Sequence, residues 1–240
     1  MEVFYLLLFV VALLYASVGH GGASGYLALM ALYGVTPDVM KPTALMLNLF
    51  VSLTSFIQYY RGGYFKRNVF WPLALASIPL SFLGGMIILE LNIYRKILGF
   101  LLLIPVTRFL FFPNAQASEL KPSRVLPSLF IGAGIGLLSG MIGIGGGIIL
   151  SPILLLLKWT DQKQTAAISA LFIFVNSVAG LGGQFSKGIE FTADMVTYVG
   201  VAFAGGICGA YLGALRFNQN ILKILLGIVL LVAAWKLIFT

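Results

Sequence analysis

The sequence contains very little charge. Only 9% of its 240 residues are Asp, Glu, Lys or Arg, whereas 60% are hydrophobic. An ordinary soluble domain has about 25% charged residues. A water-soluble fold of this size cannot cover so much apolar surface, because a large part of its chain must meet water. The shortage of charge therefore excludes a soluble domain and predicts an integral membrane protein whose main surroundings are the lipid bilayer.

Residues that ligate metals or perform covalent catalysis are also scarce. Cys208 is the only cysteine and His20 the only histidine, so a disulfide within the chain and a cysteine-rich metal site are excluded. Glu90, Glu190 and Asp194 lie at the ends of hydrophobic segments rather than inside them. A zinc site or a Ser/His/Asp triad lacks its residues. We therefore predict that the protein is not an enzyme and has no metal and no cofactor.

The remaining charge is mostly basic, with 15 Lys and Arg against 7 Asp and Glu. The basic residues do not form long runs, so binding to nucleic acid is not expected. They are instead typical of the cytoplasmic ends of membrane helices. The first forty residues contain no Lys or Arg. Because a signal peptide needs a basic start, we predict that residues 3–18 form a retained membrane helix.

What the sequence does contain is ten hydrophobic segments, interrupted by one polar stretch. Each segment should be a helix, because a backbone in contact with lipid must satisfy its own hydrogen bonds. The segments cover residues 3–18, 22–34, 41–60, 69–90, 94–112, 125–142, 146–158, 164–184, 192–215 and 219–239.

The two sets of five segments repeat each other. Lys41, Thr43 and Ala44 recur as Lys163, Thr165 and Ala166. In each set a glycine-rich turn stands between the first and the second segment. We predict a first membrane repeat over residues 1–112, a linker over 113–124 and a second repeat over 125–240. Each repeat would have a short broken-helix pair followed by three membrane-spanning helices, which inverts the second repeat relative to the first. Whether the short pairs cross the membrane or re-enter it stays open.

The predicted topology divides the basic residues unequally between the two faces of the membrane. Ten fall on one face, which we predict to be cytoplasmic, and both chain ends would then lie outside. These ten are Arg61, Lys66, Arg67, Arg108, Lys121, Arg124, Lys158, Lys163, Arg216 and Lys223. The five on the other face are Lys41, Arg95, Lys96, Lys187 and Lys236.

Glycines mark the break in each short pair. One turn contains Gly19, Gly21 and Gly22, and the other contains Gly143, Gly145, Gly146 and Gly147. A helix that begins at such a turn presents free N–H groups and a positive dipole end, and glycine lets an anion approach the backbone closely. The turns therefore predict an anion site near the middle of the membrane. The alternative is that these glycines only allow close helix packing, which is how we interpret Gly132, Gly136 and Gly140.

Several polar residues accompany the turns. His20 lies inside the first turn, and an ionisable group at membrane depth is a candidate for proton coupling or for direct binding of the anion. The alternative is a neutral histidine that only bonds to the backbone. Asn48, Asn176, Ser24 and Ser151 are further candidates for binding, or they hold helices together. Their companions are Ser52, Thr54, Ser55, Gln58, Ser177 and Gln184.

The paired motifs G-H-G-G (19–22) and G-I-G-G-G (143–147), followed by Pro152 in G-G-G-I-I-L-S-P, resemble those of the TauE/SafE sulfite exporter family. The resemblance covers nearly the whole chain. It implies a bacterial inner-membrane permease or exporter for sulfite, or for an organosulfur or organic anion. His20 and Ala23 stand where the second motif has Ile144 and Gly147, so the site would be asymmetric.

We therefore predict an anion transporter, with two alternatives. One is an anion channel, and the other is an accessory membrane subunit that transports nothing. The sequence leaves open the choice of anion, the direction of transport and the coupling ion. It also leaves open the oligomeric state, a homo-oligomer included.

Overall fold

A computed structural model of the chain describes residues 2–17, 22–111, 120–188, 192–213 and 219–239. Within these ranges the regular elements are ten α-helices, and no strand occurs. They are α1 (Glu2–Ser17), α2 (Ala23–Leu32), α3 (Pro37–Arg61), α4 (Arg67–Met86), α5 (Leu91–Phe111), α6 (Val125–Ile142), α7 (Gly147–Leu156), α8 (Gln162–Phe185), α9 (Ala193–Gly213) and α10 (Gln219–Phe239).

These helices match the ten predicted segments, with ends that differ by four residues or fewer. The largest difference at a helix start is in α3, which begins at Pro37 rather than near Lys41. Proline suits a first helical position because its missing N–H would have no partner there. Asp38 in the first turn adds a favourable interaction with the helix dipole.

The helices have the lengths and surfaces of membrane-spanning elements. Among the described residues, α3, α4, α6 and α8 are long and apolar enough to cross a bilayer. The large apolar side chains of Leu75 in α4, Phe130 in α6 and Leu156 in α7 are exposed, where lipid would cover them. The prediction of an all-α integral membrane protein is confirmed.

The helices form two compact units, each of which combines segments from both halves of the sequence. Unit 1 contains Met1–Leu47, Leu89–Pro113 and Glu190–Thr240, and unit 2 contains Asn48–Ile88 and Asn114–Ile189. In unit 1, α1 packs on α9, and in unit 2, α6 packs on α4. The first helix of one half thus pairs with the fourth helix of the other half in both units. A two-fold repeat would produce this exchange, but the inversion and the repeat boundaries stay predictions.

Glycines set the close contact between α4 and α6. A Cβ atom on Gly132, Gly136 or Gly140 would collide with the backbone of α4, at the carbonyl groups of Leu73, Ser77 and Ser81 respectively. The prediction that this glycine row serves packing is therefore confirmed. The order of these contacts also shows that α4 and α6 run in the same direction.

One end of unit 2 is rich in basic residues. Lys163 Nζ lies 3.0 Å from the hydroxyl of Tyr64, and the Lys121 N–H donates to the Lys158 carbonyl at 2.7 Å. These contacts bring together the loops that precede α4, α6 and α8. We call this the basic end, and its charges are Arg61, Lys66, Arg67, Lys121, Arg124, Lys158, Asp161 and Lys163. The predicted topology requires that these loops share one face.

Candidate functional site

The break between α6 and α7 is built from glycines in the left-handed region. Gly143 has φ 87°, and Gly145 and Gly146 each have φ 77°. An L-residue with a side chain adopts this conformation at a cost of about 1–2 kcal/mol, which glycine avoids. All five residues of 143–147 are buried. The turn is therefore a tight internal turn, and α7 begins directly after it at Gly147.

The residues that surround the glycine turn place the start of α7 about halfway along α6 and α8. A Cβ atom on Gly147 would meet Ile173, and one on Gly146 would meet Ile135 and Phe172. Ile173 stands eleven residues after the start of α8 and twelve before its end, which is about 17 Å from one end and about 18 Å from the other at 1.5 Å per residue. The start of α7 therefore lies about halfway along α8. Its depth near the middle of a hydrocarbon core about 30 Å thick stays a prediction.

The backbone at this point offers hydrogen-bond donors without acceptors. Within the part of the chain that the structure describes, no acceptor binds the N–H groups of residues 144–148. The first N–H groups of any helix lack partners, and the turn that precedes them adds more. Successive N–H groups in such a turn form a concave site of partial positive charge that suits an anion.

Asn48 supplies a side-chain amide at the same place. It lies in the middle of α3, is 1% exposed, and neither Nδ2 nor Oδ1 has a partner among the described residues. A Cβ atom on Gly145 would lie 2.5 Å from Asn48 Nδ2. The amide therefore contacts the turn directly. Leaving a buried polar group unpaired costs about 1–3 kcal/mol, so an amide in this position fits a residue that binds a solute.

The electrostatic surroundings favour negative charge. Asp161 is the only acidic residue among the described residues of unit 2. Its carboxylate accepts a hydrogen bond from the Gln164 N–H at 2.8 Å and caps α8 at the basic end. No carboxylate of this part of the chain therefore lies in the turn. Among all described residues, no group of three or more His, Cys, Asp or Glu side chains is arranged to hold a metal ion.

Asn176 differs from Asn48 because its donors are used within the protein. Its Nδ2 donates to the Phe172 carbonyl at 2.8 Å and to Ser77 Oγ at 3.1 Å. The main-chain carbonyl of Asn176 accepts a hydrogen bond from Ser81 Oγ at 2.8 Å. Only Oδ1 is unpartnered among the described residues, and an acceptor cannot bind an anion. These contacts fit the alternative in which Asn176 holds α8 against α4.

Ser151 also has partners within the protein. Its hydroxyl donates to the Gly147 carbonyl at 2.8 Å and lies 2.9 Å from Ser169 Oγ. These bonds tie the first turn of α7 to α8. Ser151 therefore supports the start of α7 from the side.

The first glycine turn is described only in part. Gly22 has φ 70° and stands immediately before α2, in the same conformation as Gly146 before α7. Ser24 in α2 is buried. Gly19, His20 and Gly21 lie outside the described residues. The likeness of the two helix starts agrees with the sequence repeat.

Three further polar side chains stand out in the structure, of which the sequence named Ser177 and Gln184 only as companions of the candidates and did not name Ser139. Ser139 of α6 and Ser177 and Gln184 of α8 are buried, and their side-chain polar atoms have no partner in the described residues. Ser139 lies within the glycine-rich packing segment, so nothing in the sequence separates it from Ser128, whose hydroxyl bonds to the backbone one turn earlier. Only the three-dimensional contacts reveal the difference.

Comparison with known proteins agrees with these features. The family model described as "Sulfite exporter TauE/SafE" matches residues 4–238. The chain is 35% identical to the "Probable membrane transporter protein y4hK" of Sinorhizobium fredii, over 96% of this chain and 95% of that protein. It is 26% identical to the "Probable membrane transporter protein YdhB" of Bacillus subtilis, over 92% and 91% of the two chains. No solved structure matches.

The match covers both glycine turns, both units and all ten helices, and the relatives are aligned over nearly their whole lengths. The apolar spanning helices are those of a multi-pass membrane protein. The chain belongs to the TauE/SafE sulfite exporter family and is a membrane transporter.

Proposed function

We propose that the protein transports a small oxyanion, sulfite or an organosulfur anion, and binds it at the start of α7. The observation that carries this proposal is the combination of unbonded N–H groups at residues 144–148 with the unbonded amide of Asn48. Residues 144–147 and Asn48 are buried, and they lie about halfway along the spanning helices. The description of the matched family supports the class of substrate.

The donors at this turn suit an oxyanion better than a neutral or cationic solute. An oxyanion accepts several hydrogen bonds at once and donates few or none, and each bond to a charged group contributes about 1.5–3 kcal/mol. The positive end of the α7 dipole adds to this attraction. With no carboxylate in the described turn, a cation would have no counter-charge there.

We propose further, from the sequence repeat alone, that Gly19, His20, Gly21, Gly22 and Ser24 are binding residues of the first repeat. They would correspond to Gly143, Gly145, Gly146, Gly147 and Ser151 of the second repeat. Alternating access would then result from movement of one repeat against the other. In this proposal the protein lies in the bacterial inner membrane with both ends outside, as the distribution of basic residues suggests.

Binding and flux by the purified protein test the site. We expect sulfite or a sulfonate to raise the melting temperature of the wild type, and the protein in liposomes to carry that anion with saturation. Asn48→Leu should remove the thermal effect and lower the flux. Leu83→Ala, at an exposed apolar position of α4, is the matched control and should behave as the wild type.

The outcomes separate the proposal from its alternatives. Anion binding that persists in Asn48→Leu would exclude this site. Flux that never saturates would indicate an anion channel. Absence of both binding and flux for sulfite, thiosulfate, sulfonates and carboxylates would favour an accessory subunit without transport.

His20 is the proposed proton-coupling residue, on the sequence alone. We expect the flux of the wild type to respond to a pH gradient, because an imidazole changes its charge near neutral pH. In His20→Gln this response should be lost, whatever flux remains when the pH is equal on the two sides. An unchanged pH response in His20→Gln would exclude coupling through this residue.

A further inference from the structure

We propose that the anion reaches the α7 site along the C-terminal halves of α6 and α8, by a path on which Gln184 lies. This inference rests on the transport function proposed above. It starts from the buried polar side chains of unit 2 that have no partner in the described residues, which are Asn48, Ser139, Asn176, Ser177 and Gln184.

On α8 two of these groups, Ser177 and Gln184, lie in one row on a face that starts at the site, whereas Asn176 lies towards α4. Ile173 contacts the glycine turn, and Ser177 and Gln184 follow it four and eleven residues later. Residues with this spacing lie on one face of a helix. From Ile173 to Gln184 the row covers about 16 Å at 1.5 Å per residue, which is the distance from the middle of the membrane to its surface.

A second row runs beside the turn on α6. Ile135 contacts the turn at Gly146, and Ser139 follows four residues later on the same face. Its hydroxyl is buried and without a partner among the described residues. Ser139 therefore stands on the same side of the site as Ser177, away from the basic end.

On the opposite side of the site the polar groups are paired. Ser151 and Ser169 bond to each other at 2.9 Å, and Thr160 and Thr165 do so at 2.7 Å. The Ser128 hydroxyl bonds to the Arg124 carbonyl at 2.8 Å. These hydroxyls have partners within the protein and need no water or solute, unlike Ser139, Ser177 and Gln184 on the other side.

The two sides of the site therefore differ in whether their polar groups are free to bind water or an anion. Each unpaired polar group within a membrane must be satisfied by water or by a solute, or it destabilises the fold. Hydroxyl and amide groups in a row from the site to one surface provide such contacts for a hydrated anion. The site therefore opens towards the C-terminal end of α8, which the predicted topology places outside.

Reaction of introduced cysteines tests this direction in the full-length protein. The single variants are Ser139→Cys, Ser177→Cys and Gln184→Cys, each made in a Cys208→Ser background. Each variant is inserted into liposomes in a known orientation and treated with a membrane-impermeant methanethiosulfonate that carries a sulfonate group. We expect each to react at least about tenfold faster from the face opposite the basic end than Ser169→Cys does from either face. Val178→Cys, next to the row but exposed on the outer surface, is the second control and should react as slowly as Ser169→Cys.

A flux measurement supplies a readout for variants that cannot be labelled. Gln184→Glu should lower anion flux at least about tenfold relative to Gln184→Leu, because a fixed negative charge repels an anion on its path. Equal fluxes in these two variants would overturn the role of Gln184. Equal labelling of the row from both faces, or faster labelling at Ser169→Cys, would overturn the direction.

The two proposals fail in different ways. Fast labelling of the row in a protein that carries no anion would refute the transport of anions and leave the path in place. Normal sulfite flux in the Cys208→Ser background, with no labelling at the row, would refute the path and leave the transport function in place.

Discussion

Two asparagines lie halfway along spanning helices of the protein, and their surroundings differ in one respect. Asn176 lies in the contact between α8 and α4 and gives both of its amide hydrogens to protein acceptors. Asn48 lies against the glycine turn before α7, and its amide has no partner among the described residues. Both side chains are fully buried. The comparison shows that burial alone does not distinguish a residue that holds helices together from one that is available to a solute.

The difference follows from what stands opposite each side chain. Asn176 faces the Phe172 carbonyl one turn earlier and Ser77 of α4, both of which accept hydrogen bonds. Asn48 lies against Gly145 of the turn, and a glycine offers no side-chain partner. Four substitutions should sharpen or break this contrast, in decreasing order of expected effect.

The largest effect should come from Asn48→Asp. The change replaces an N–H donor by a negative charge with almost the same shape. Loss of a hydrogen bond to a charged solute, together with repulsion, should weaken anion binding by about 100-fold or more. Isothermal titration of the purified protein with sulfite measures this. Affinity within about threefold of the wild type would place the anion elsewhere.

Gly145→Ala should have the next largest effect. Its φ of 77° is strained for alanine, and the added Cβ would displace Asn48 Nδ2 and Ile173 Cγ2. We expect about 1–3 kcal/mol of destabilisation and a loss of anion affinity of about tenfold. Gly134→Ala is the matched control, because a Cβ there meets nothing within 4 Å. Equal melting temperatures for the two variants would contradict the geometry of the turn.

Asn176→Ala should change stability without changing affinity. The substitution leaves Ser77 and the Phe172 carbonyl without their donor and should cost about 1–3 kcal/mol. Thermal unfolding in detergent measures the loss, and titration with the same anion should give an affinity within about twofold of the wild type. A large fall in affinity with little change in stability would reverse the roles assigned to the two asparagines.

Ser151→Ala should have the smallest effect. It removes the bonds to Gly147 and Ser169, worth about 0.5–1.5 kcal/mol each, but alanine recovers part of this through its better helix propensity. We expect a small fall in melting temperature and an affinity within about threefold of the wild type. A loss of affinity as large as that of Asn48→Asp would show that the Ser151 hydroxyl contacts the anion directly.

Much of the fold could be predicted from hydrophobicity and glycine alone. The ten helices and the packing role of Gly132, Gly136 and Gly140 are visible in the sequence, because lipid requires helices and close helix contacts require small residues. The composition of the two units was not predictable. Which helices pair across the chain depends on contacts between segments far apart in sequence, such as α1 with α9 and α4 with α6.

The candidate site was predictable in part. The turn at residues 143–147 is marked by its glycines, and Asn48 by its polarity within an apolar segment. Ser139 has no distinguishing signal, because a serine in a helix bonds to its own backbone as readily as it remains free. The different partners of Asn48 and Asn176 could not be read from the sequence either.

The sequence by itself determined that this chain lies in a membrane, that it is helical, and that its helices break at glycine-rich turns. These properties follow from composition and from the conformational range of single residues. The tertiary structure alone decided which buried polar groups are paired and which are left for a solute. That outcome depends on the partner that each group meets across helix contacts, which local sequence does not specify.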